Sequence, residues 1–289
     1  MNSRIGLLVD SAADVPLEVL TANDNIEVVP LTLMIGDVQY LDRETITPSV
    51  FYEKQAASDS MPQTASPSIG EVQQRIERLK QRGYDKIIGI TISSGLSVTN
   101  TVFNHAATVS QDATVTIIDT KSIGIGAGLQ AAFAEKCIRA GLDYDTVVKA
   151  VEDSVTQSHV YFYIPTLKYL RAGGRIGRVA GLVGTMLSIR PVISCDEQGI
   201  YYPVAKARTE NKAVAKMIAL ALSHCESGTP FQIAVTQGAN PELLNQVVHT
   251  LETKLPGQPI LTGDVSPALG VHTGPGLVGM AVQVGALPH

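Results

Sequence analysis

The sequence predicts an α/β protein of two lobes. Short β-branched apolar runs alternate with helical patterns through the first half of the chain, which is typical of a parallel sheet with helical crossovers. The second half carries a hairpin signal and further helices, which favours an α+β lobe with a mixed or antiparallel sheet. The pattern changes near Gln157, so we expect the lobes to span residues 1–157 and 158–289.

The elements of the first lobe follow from apolar runs and capping residues. The run at 5–9 predicts a buried strand, and Asp10 and Ser11 are expected to cap a helix that begins near Pro16. Residues 28–35 predict a single strand, which is the second strand in the chain. The remaining elements are expected as a helix from residue 47, a helix over 68–82 with a capping box at Ser68 and Glu71, a strand from 86, a helix from 97, a strand over 115–118 and a helix after 124.

The second lobe shows more turns. The tetrapeptide D-E-Q-G at 196–199 lies between two β-branched runs and predicts a hairpin. The other expected elements are strands over 160–164 and 231–235, a short helix over 167–171 that breaks at 173–174, and helices over 211–223 and 241–255.

Composition excludes several classes of function. A net charge of −5 with no local run of Lys or Arg is unlike a nucleic-acid-binding face. The three cysteines are scattered, which favours neither a metal site nor a disulfide framework and indicates a reducing compartment. No eighteen apolar residues follow one another, and the first apolar run is too short for a signal peptide. We therefore expect a soluble cytoplasmic protein.

The segment over residues 86–100 carries the strongest functional signal. An apolar run ends in S-S-G-L-S, which is typical of a buried strand that enters a helix. Ligands of open α/β sheets lie at the carboxyl ends of such strands. Hydroxyl groups and free backbone N–H groups at a helix N-terminus suit an anion. We predict that Ser94 contacts this anion, whereas Ser97 is expected to cap the helix.

Three further polar segments lie beside glycine or proline. Thr64 precedes the capping box at Ser68 and is available to face a ligand. Arg175, in G-G-R-I-G-R, suits a carboxylate or phosphate, although a helix C-cap with surface arginines explains the spacing equally well. His272 is flanked by glycines, and we interpret its surroundings as a turn and the histidine as a site residue.

Two other patterns carry no prediction of a cofactor. The glycines at 124, 126 and 128 follow a strand, but Leu129 stands where a dinucleotide motif needs glycine or alanine. Asp10, Asp14 and Asp119 at strand ends are explained by caps and surface turns better than by a magnesium site. We therefore expect neither a metal nor a cofactor.

Taken in order, these segments resemble the DegV family of bacterial fatty-acid-binding proteins. The resemblance runs from about residue 4 to 285 and departs from the family pattern at Ala65, Ser66 and Val98. The family segments D-S-T-A-D, T-S-Q-P-S, I-S-S-G-L-S-G-T, D-S-K-S, Y-L-R-K-G-G-R-I and H-x-G-P-G correspond to residues 10–14, 64–68, 92–99, 119–122, 169–176 and 272–276.

The resemblance implies a long-chain fatty acid held in a tunnel between the lobes. Its carboxylate is expected at Thr64 and Ser94, with Arg175 and His272 lining the same region. The neighbouring motif residues Ser97 and Thr273 complete the set of candidate ligand-binding residues. Some members of the family present the acid to an ATP-dependent fatty-acid kinase, which makes an acyl phosphate for phospholipid metabolism. This chain would then be a carrier without catalysis of its own.

An apolar tunnel suits such a ligand energetically. Burying about fourteen methylenes contributes on the order of 11 kcal/mol before ordering costs. Residues 182–187, or Ile123, Ile125 and Leu129, are candidates for the tunnel wall, although each is equally well explained as an ordinary core residue.

Two other functions remain open from the sequence. A serine hydrolase or acyltransferase would use Ser94 as nucleophile and His272 as base, although no third group or G-x-S-x-G elbow supports it. A protein that binds a sugar phosphate or nucleotide phosphate would also use hydroxyls at a helix N-terminus.

Overall fold

The structure, a computed structural model, describes residues 4–110, 112–185, 189–225 and 228–285. The strands within these residues are β1 (Arg4–Asp10), β2 (Ile26–Val29), β3 (Thr32–Ile35), β4 (Val38–Leu41), β5 (Gln63–Ala65), β6 (Tyr84–Thr91), β7 (Thr114–Asp119), β8 (Ser158–Tyr163), β9 (Arg190–Cys195), β10 (Tyr201–Ala207), β11 (Phe231–Gly238), β12 (Ile260–Asp264) and β13 (Leu277–Val284).

Within the same described residues, six α-helices precede residue 157 and four follow it. The α-helices are α1 (Leu17–Thr21), α2 (Pro48–Ala57), α3 (Ile69–Gln81), α4 (Thr99–Val109), α5 (Ile125–Arg139), α6 (Tyr144–Ser154), α7 (Lys168–Ala172), α8 (Glu210–Leu222), α9 (Pro241–Lys254) and α10 (Pro267–Thr273). Short 3₁₀ helices cover Ser11–Ala13, Val155–Gln157 and Gly177–Thr185.

The first lobe contains the predicted parallel sheet, in the order β2-β1-β6-β7. Strand β1 is buried on both faces except at Arg4, which explains why its sequence is a continuous apolar run and does not alternate. The connection from β2 crosses to the far side of β1, so the carboxyl ends of β1 and β6 flank a switch point. The capping box at Ser68 and Glu71 is confirmed at the start of α3.

The predicted single strand over residues 28–35 is wrong. The chain leaves the parallel sheet at Pro30, which has no N–H group to continue the ladder, and β3 begins at Thr32. Strand β3 belongs to a separate antiparallel sheet in the order β4-β3-β5. Both strands are partly buried, so the sequence over 28–35 is mostly hydrophobic. Its pattern therefore does not mark the break between the two strands.

The second lobe contains a six-stranded mixed sheet in the order β10-β9-β8-β13-β11-β12. Strands β11 and β12 are parallel, and the other neighbours are antiparallel, which confirms the predicted class. The hairpin β9–β10 is also confirmed. Its turn packs against the first lobe, because Ser93 Oγ donates to the carbonyl of Gly199 at 2.9 Å.

Helix α5 packs against both sheets, contacting β1 and β6 on one side and β8, β11 and β13 on the other. The helix is buried over most of its length. Close packing of this helix explains the glycines at 126 and 128, which made the sequence similar to a dinucleotide-binding motif. A Cβ on Gly128 would lie 2.6 Å from the carbonyl oxygen of Ala13 and 2.7 Å from that of Asp14, so this position requires glycine for close packing.

The two lobes share one apolar cluster. Leu33 and Ile125 contribute to it from the first lobe, and Phe162, Ile193 and Leu269 from the second. All four strands of the parallel sheet precede residue 120, and all six of the mixed sheet follow residue 157. The predicted boundary between residues 157 and 158 stays a prediction. Within the described residues no helix is long and apolar enough to cross a membrane.

We expect Gly128→Ala to destabilise the protein by about 1–3 kcal/mol, because the added methyl group meets two backbone carbonyls that side-chain rotation cannot move. Gly70→Ala in α3 is the matched control. A Cβ on Gly70 would lie 4.0 Å from Ser68 Oγ, which is an ordinary contact, and alanine there should stabilise the helix by about 0.5–1 kcal/mol. Urea unfolding of both variants measures the difference. Equal effects of the two substitutions would contradict the close packing of α5.

Candidate functional site

Thr64 lies on β5, where it is opposite Leu33 of β3. Its side chain is half-buried, and Oγ1 lies 2.8 Å from Nε2 of His272. The two residues are 208 positions apart in the chain, so only the tertiary fold brings them together. The three-stranded sheet that positions Thr64 was missed from the sequence, because β5 has three residues and no apolar alternation.

His272 lies on helix α10, and the predicted glycine-flanked turn is therefore wrong at this position. Ser266 caps the helix, Pro267 starts it, and Gly274 ends it with φ +70°. The S-P pair at 266–267 is the signal that would have indicated a helix start. Nδ1 of His272 is buried without a partner among the described residues. Gly173 packs against this side of the ring, and a Cβ on Gly173 would lie 2.1 Å from Nδ1.

Burial lowers the pKa of His272 to about 4, and the positive charge of Arg175 acts in the same direction. The ring is therefore neutral at pH 7. The geometry also favours one tautomer. A buried acceptor without a partner is tolerated better than a buried N–H without one, so Nδ1 is the unprotonated nitrogen and Nε2–H donates to Thr64 Oγ1.

Arg175 follows α7 through Gly173, the C-cap residue, and Gly174, which has φ +71°. Its Nη1 donates to the carbonyl of Gly173 at 2.8 Å and its Nε to that of Leu96 at 3.3 Å. No Asp or Glu among the described residues forms an ion pair with it. Because a guanidinium has five N–H donors, Arg175 retains donors for an anion.

Thr64, Arg175 and His272 line one cavity of about 290 Å³ at the junction of the lobes. It combines a cation, a neutral imidazole and a hydroxyl group, and no acidic residue contributes to its described wall. This arrangement suits a small anionic group. The remaining lining residues are Met61, Pro62 and Gln63 from the first lobe and Ala172, Gly173 and Val271 from the second.

The loop between β6 and α4 differs from the sequence expectation. Its backbone N–H groups were expected to be free for an anion, but those of residues 93–97 and 99 all donate within the protein. The hydroxyl of Ser97 accepts from Thr99 N, while the N-cap position itself is Val98. The N–H groups of residues 93–97 and 99 are therefore not available to an anion, and the anion site expected at this helix N-terminus stays a prediction.

Ser94 belongs to a polar cluster at the ends of β6 and β7. Its Oγ accepts from Lys121 Nζ at 3.1 Å, and its N–H donates to Asp119 Oδ1 at 3.1 Å. Lys121 also pairs with Asp119 Oδ2 at 2.6 Å. Neither Ser94 nor Ser97 is among the described residues that line the cavity at Thr64, although Leu96 of the same loop contacts Arg175.

Thr273 faces a second cavity, of about 30 Å³, inside the protein. Its hydroxyl donates to the carbonyl of Leu269 at 3.0 Å. The candidate wall residues Ile123 and Ile125 line this cavity, and Leu129 belongs to the same apolar cluster. In the other candidate segment, Leu182 is buried in that cluster, whereas residues 186 and 187 lie outside the described residues.

The acidic residues at strand ends divide into three environments. Asp10 is the predicted cap, accepting from Ala12 N at 3.0 Å and from Ile92 N at 2.8 Å, and burial raises its pKa to about 7. Asp14 is not in a surface turn as predicted but buried and paired with Arg43 at 2.8 Å. Asp119 is the partly buried partner of Lys121. Within the described part of the chain, no three His, Cys, Asp or Glu side chains are grouped to hold a metal ion.

Comparison with known proteins decides the family. A profile described as "Uncharacterised protein, DegV family" matches residues 4–284. The chain belongs to the DegV family. A DegV domain-containing protein of Clostridium acetobutylicum is 34% identical over 286 residues, which cover 96% of this chain and 98% of the relative.

Solved DegV structures share this fold. A DegV family protein of Thermus thermophilus, described as fatty acid binding, matches with a TM-score of 0.88 and 26% identity over 97% of this chain and 99% of its own. DegV of Bacillus subtilis, described as a fatty acid binding protein, matches with a TM-score of 0.89 and 25% identity, over 98% of this chain and 100% of its own.

The lowered pKa of His272 predicts a pH dependence of stability in this DegV protein. The unfolded chain takes up the proton near pH 6.5 and the folded protein only near pH 4, so the free energy of unfolding falls as the pH drops through this window. His272→Gln should reduce the slope of the free energy of unfolding against pH by up to about 1.4 kcal/mol per pH unit, which is the contribution of one proton. Urea unfolding between pH 4 and 7 tests this, and identical slopes in both proteins would contradict the assignment.

Proposed function

We propose that this protein binds one long-chain fatty acid between its lobes, with the carboxylate in the cavity at Thr64, Arg175 and His272. The observation that carries the proposal is Arg175, a cation without a carboxylate partner among the described residues, in a cavity whose described wall contains no acidic side chain. The apolar cluster shared by the lobes lies beside it and suits an acyl chain. Fatty acid binding by the related proteins of T. thermophilus and B. subtilis supports this assignment.

Each polar residue has a separate role in the proposed head-group site. Arg175 neutralises the carboxylate with its remaining N–H donors. His272 donates from Nε2 to Thr64 Oγ1, which leaves the Thr64 hydroxyl proton free to donate to the carboxylate. The imidazole stays neutral, so it orients Thr64 without adding a second buried charge.

The hydroxyl groups of the other candidate residues are less available. Ser94 stays in the proposal as a second donor, although its oxygen accepts from Lys121 and its side chain also hydrogen-bonds with Asp119. Ser97 and Thr273 already take part in hydrogen bonds at helix ends, so we expect smaller effects from them.

The acyl chain requires movement of apolar side chains. The interior cavity lined by Ile123 and Ile125 has a volume of about 30 Å³, which is far less than an acyl chain occupies. Binding therefore replaces contacts among core residues with contacts to methylenes, and the hydrophobic gain is smaller than transfer from water alone suggests.

The geometry disfavours the serine-hydrolase alternative. The hydroxyl of Ser94 contacts Lys121, whose ammonium is paired with Asp119, whereas Nε2 of His272 contacts Thr64. A nucleophile needs a base within hydrogen-bond reach, and Ser94 has no such contact with His272. We therefore propose a binding protein without catalysis of its own.

The proposal includes the partner and compartment that the DegV resemblance implies. The protein would act in the cytoplasm and present the carboxylate to a separate ATP-dependent fatty-acid kinase for acyl-phosphate formation. In support, Met61 and Gln63 are exposed at the rim of the cavity. A partner would thus reach the head group from the side of β5.

Thr64→Val should weaken fatty-acid binding about tenfold, because it removes a hydrogen bond to a charged group while keeping the shape of the side chain. Ser94→Ala is expected to act in the same direction with a smaller effect. The measurement combines denaturing mass spectrometry of copurified lipid with titration of the delipidated protein.

Thr253→Val, which changes an exposed threonine on α9, is the control and should bind as wild type. Unchanged affinity in both Thr64→Val and Ser94→Ala would contradict the head-group assignment. Copurification of a phosphorylated sugar or nucleotide in place of a fatty acid would replace the proposed function.

Arg175→Gln distinguishes charge recognition from chain burial. The variant should lose at least about tenfold in affinity for hexadecanoic acid, but bind hexadecan-1-ol as wild type does, because the alcohol has no charge to neutralise. Arg178→Gln is the matched control, since Arg178 is exposed and pairs with Asp196 outside the cavity. Equal losses for acid and alcohol would indicate that Arg175 acts through the fold alone.

A further inference from the structure

The interior cavity of about 30 Å³ lies between the lobes and has apolar walls except at the side chains of Asp14, Tyr201, Thr236 and Thr273. The hydroxyl of Thr273 is committed to the carbonyl of Leu269. Asp14 and Thr236 each keep a buried oxygen without a hydrogen-bond partner among the described residues. Native proteins pair almost all buried polar atoms, so two such oxygens at one cavity call for an explanation.

Asp14 presents one carboxylate oxygen to this cavity. Its side chain is 2% exposed, and Oδ1 accepts from Arg43 Nη2 at 2.8 Å and from Ser266 N at 3.0 Å. Oδ2 lies on the cavity side. A Cβ built on Gly124 would be 3.2 Å from this oxygen and 3.0 Å from a methyl group of Leu269, and both of these residues line the cavity.

Thr236 supplies the second unpaired oxygen. It lies on β11, is 4% exposed, and lines the same cavity. Valine has the same shape and a higher preference for buried strand positions. Retaining a threonine hydroxyl here without a partner lowers stability, unless a ligand uses it.

The charges and the volume limit the chemistry of that ligand. Arg43 already neutralises Asp14, so a second cation is not favoured. A cavity of about 30 Å³ accepts only a small group. Buried water typically makes about two to four hydrogen bonds, so water can also use these oxygens, but it makes no favourable contact with the apolar part of the wall. A hydroxyl on an alkyl chain uses both parts of the wall, because it would donate to Asp14 Oδ2, accept from Thr236 and place its carbons against the apolar side chains.

We propose that this cavity recognises a hydroxyl group on the distal part of the bound acyl chain, so that the protein prefers hydroxylated fatty acids to unsubstituted ones. The inference rests on the proposed function, since the same acid would place its carboxylate at Arg175. It adds a second polar recognition point, at Asp14 and Thr236, to a ligand that is otherwise held by charge at one end and apolar contact along its length.

The test is a titration of the delipidated protein with octadecanoic acid and with a positional series of its monohydroxy derivatives, including 12-hydroxyoctadecanoic and 18-hydroxyoctadecanoic acid. At least one isomer should bind about tenfold more tightly than the parent acid. Thr236→Val should abolish this preference when both acids are measured on the same variant, and Thr236→Ser, which keeps the hydroxyl group, should retain it.

The outcomes separate the inference from the proposed function. If the parent acid binds and no hydroxylated isomer is preferred, the cavity holds water only and the inference is overturned. A preference that survives in Thr236→Val also overturns it. If neither the parent nor any hydroxylated acid binds, the proposed function fails together with the inference.

Discussion

The burial of helix α5 between two sheets is the contact on which the rest of the structure depends. A helix that faces sheets on both sides needs apolar or small residues around most of its circumference, and α5 provides them. Its buried side chain Glu135 accepts from Asn25, and Gln130 donates from Nε2 to the carbonyl of Thr120 while its Oε1 has no partner among the described residues. The helix therefore joins the lobes through a continuous apolar core.

This junction separates polar from apolar chemistry. Around α5 the lobes meet through aliphatic and aromatic side chains, whereas at the edge they meet through loops and short elements that carry Thr64, Arg175 and His272. A ligand with a charged end and a long apolar body fits such a division. Neither lobe forms this arrangement alone, since each contributes part of the cavity wall and part of the cluster.

The electrostatics of the site favour binding over reaction. His272 is neutral because burial and Arg175 oppose its protonation, and its Nε2 is used to orient Thr64. The backbone N–H groups of residues 93–97 and 99 donate within the protein, so these six groups are not available to a developing oxyanion. Arg175 has no acidic partner among the described residues, and a fixed cation in a partly buried cavity favours an anion there.

The sequence by itself determined the parallel sheet, the hairpin β9–β10 and the capping box at Ser68, because each depends on residues close together in the chain. It also determined the DegV family, through motifs spread over the whole chain. Contacts between distant residues were decided only by the tertiary structure. The hydrogen bond between Thr64 and His272 joins residues 208 positions apart, and the one between Ser266 N and Asp14 joins residues 252 positions apart, so both depend on the other lobe. Local patterns report which side chains are apolar, but they do not report which distant group satisfies a buried polar atom, and that choice positions the site.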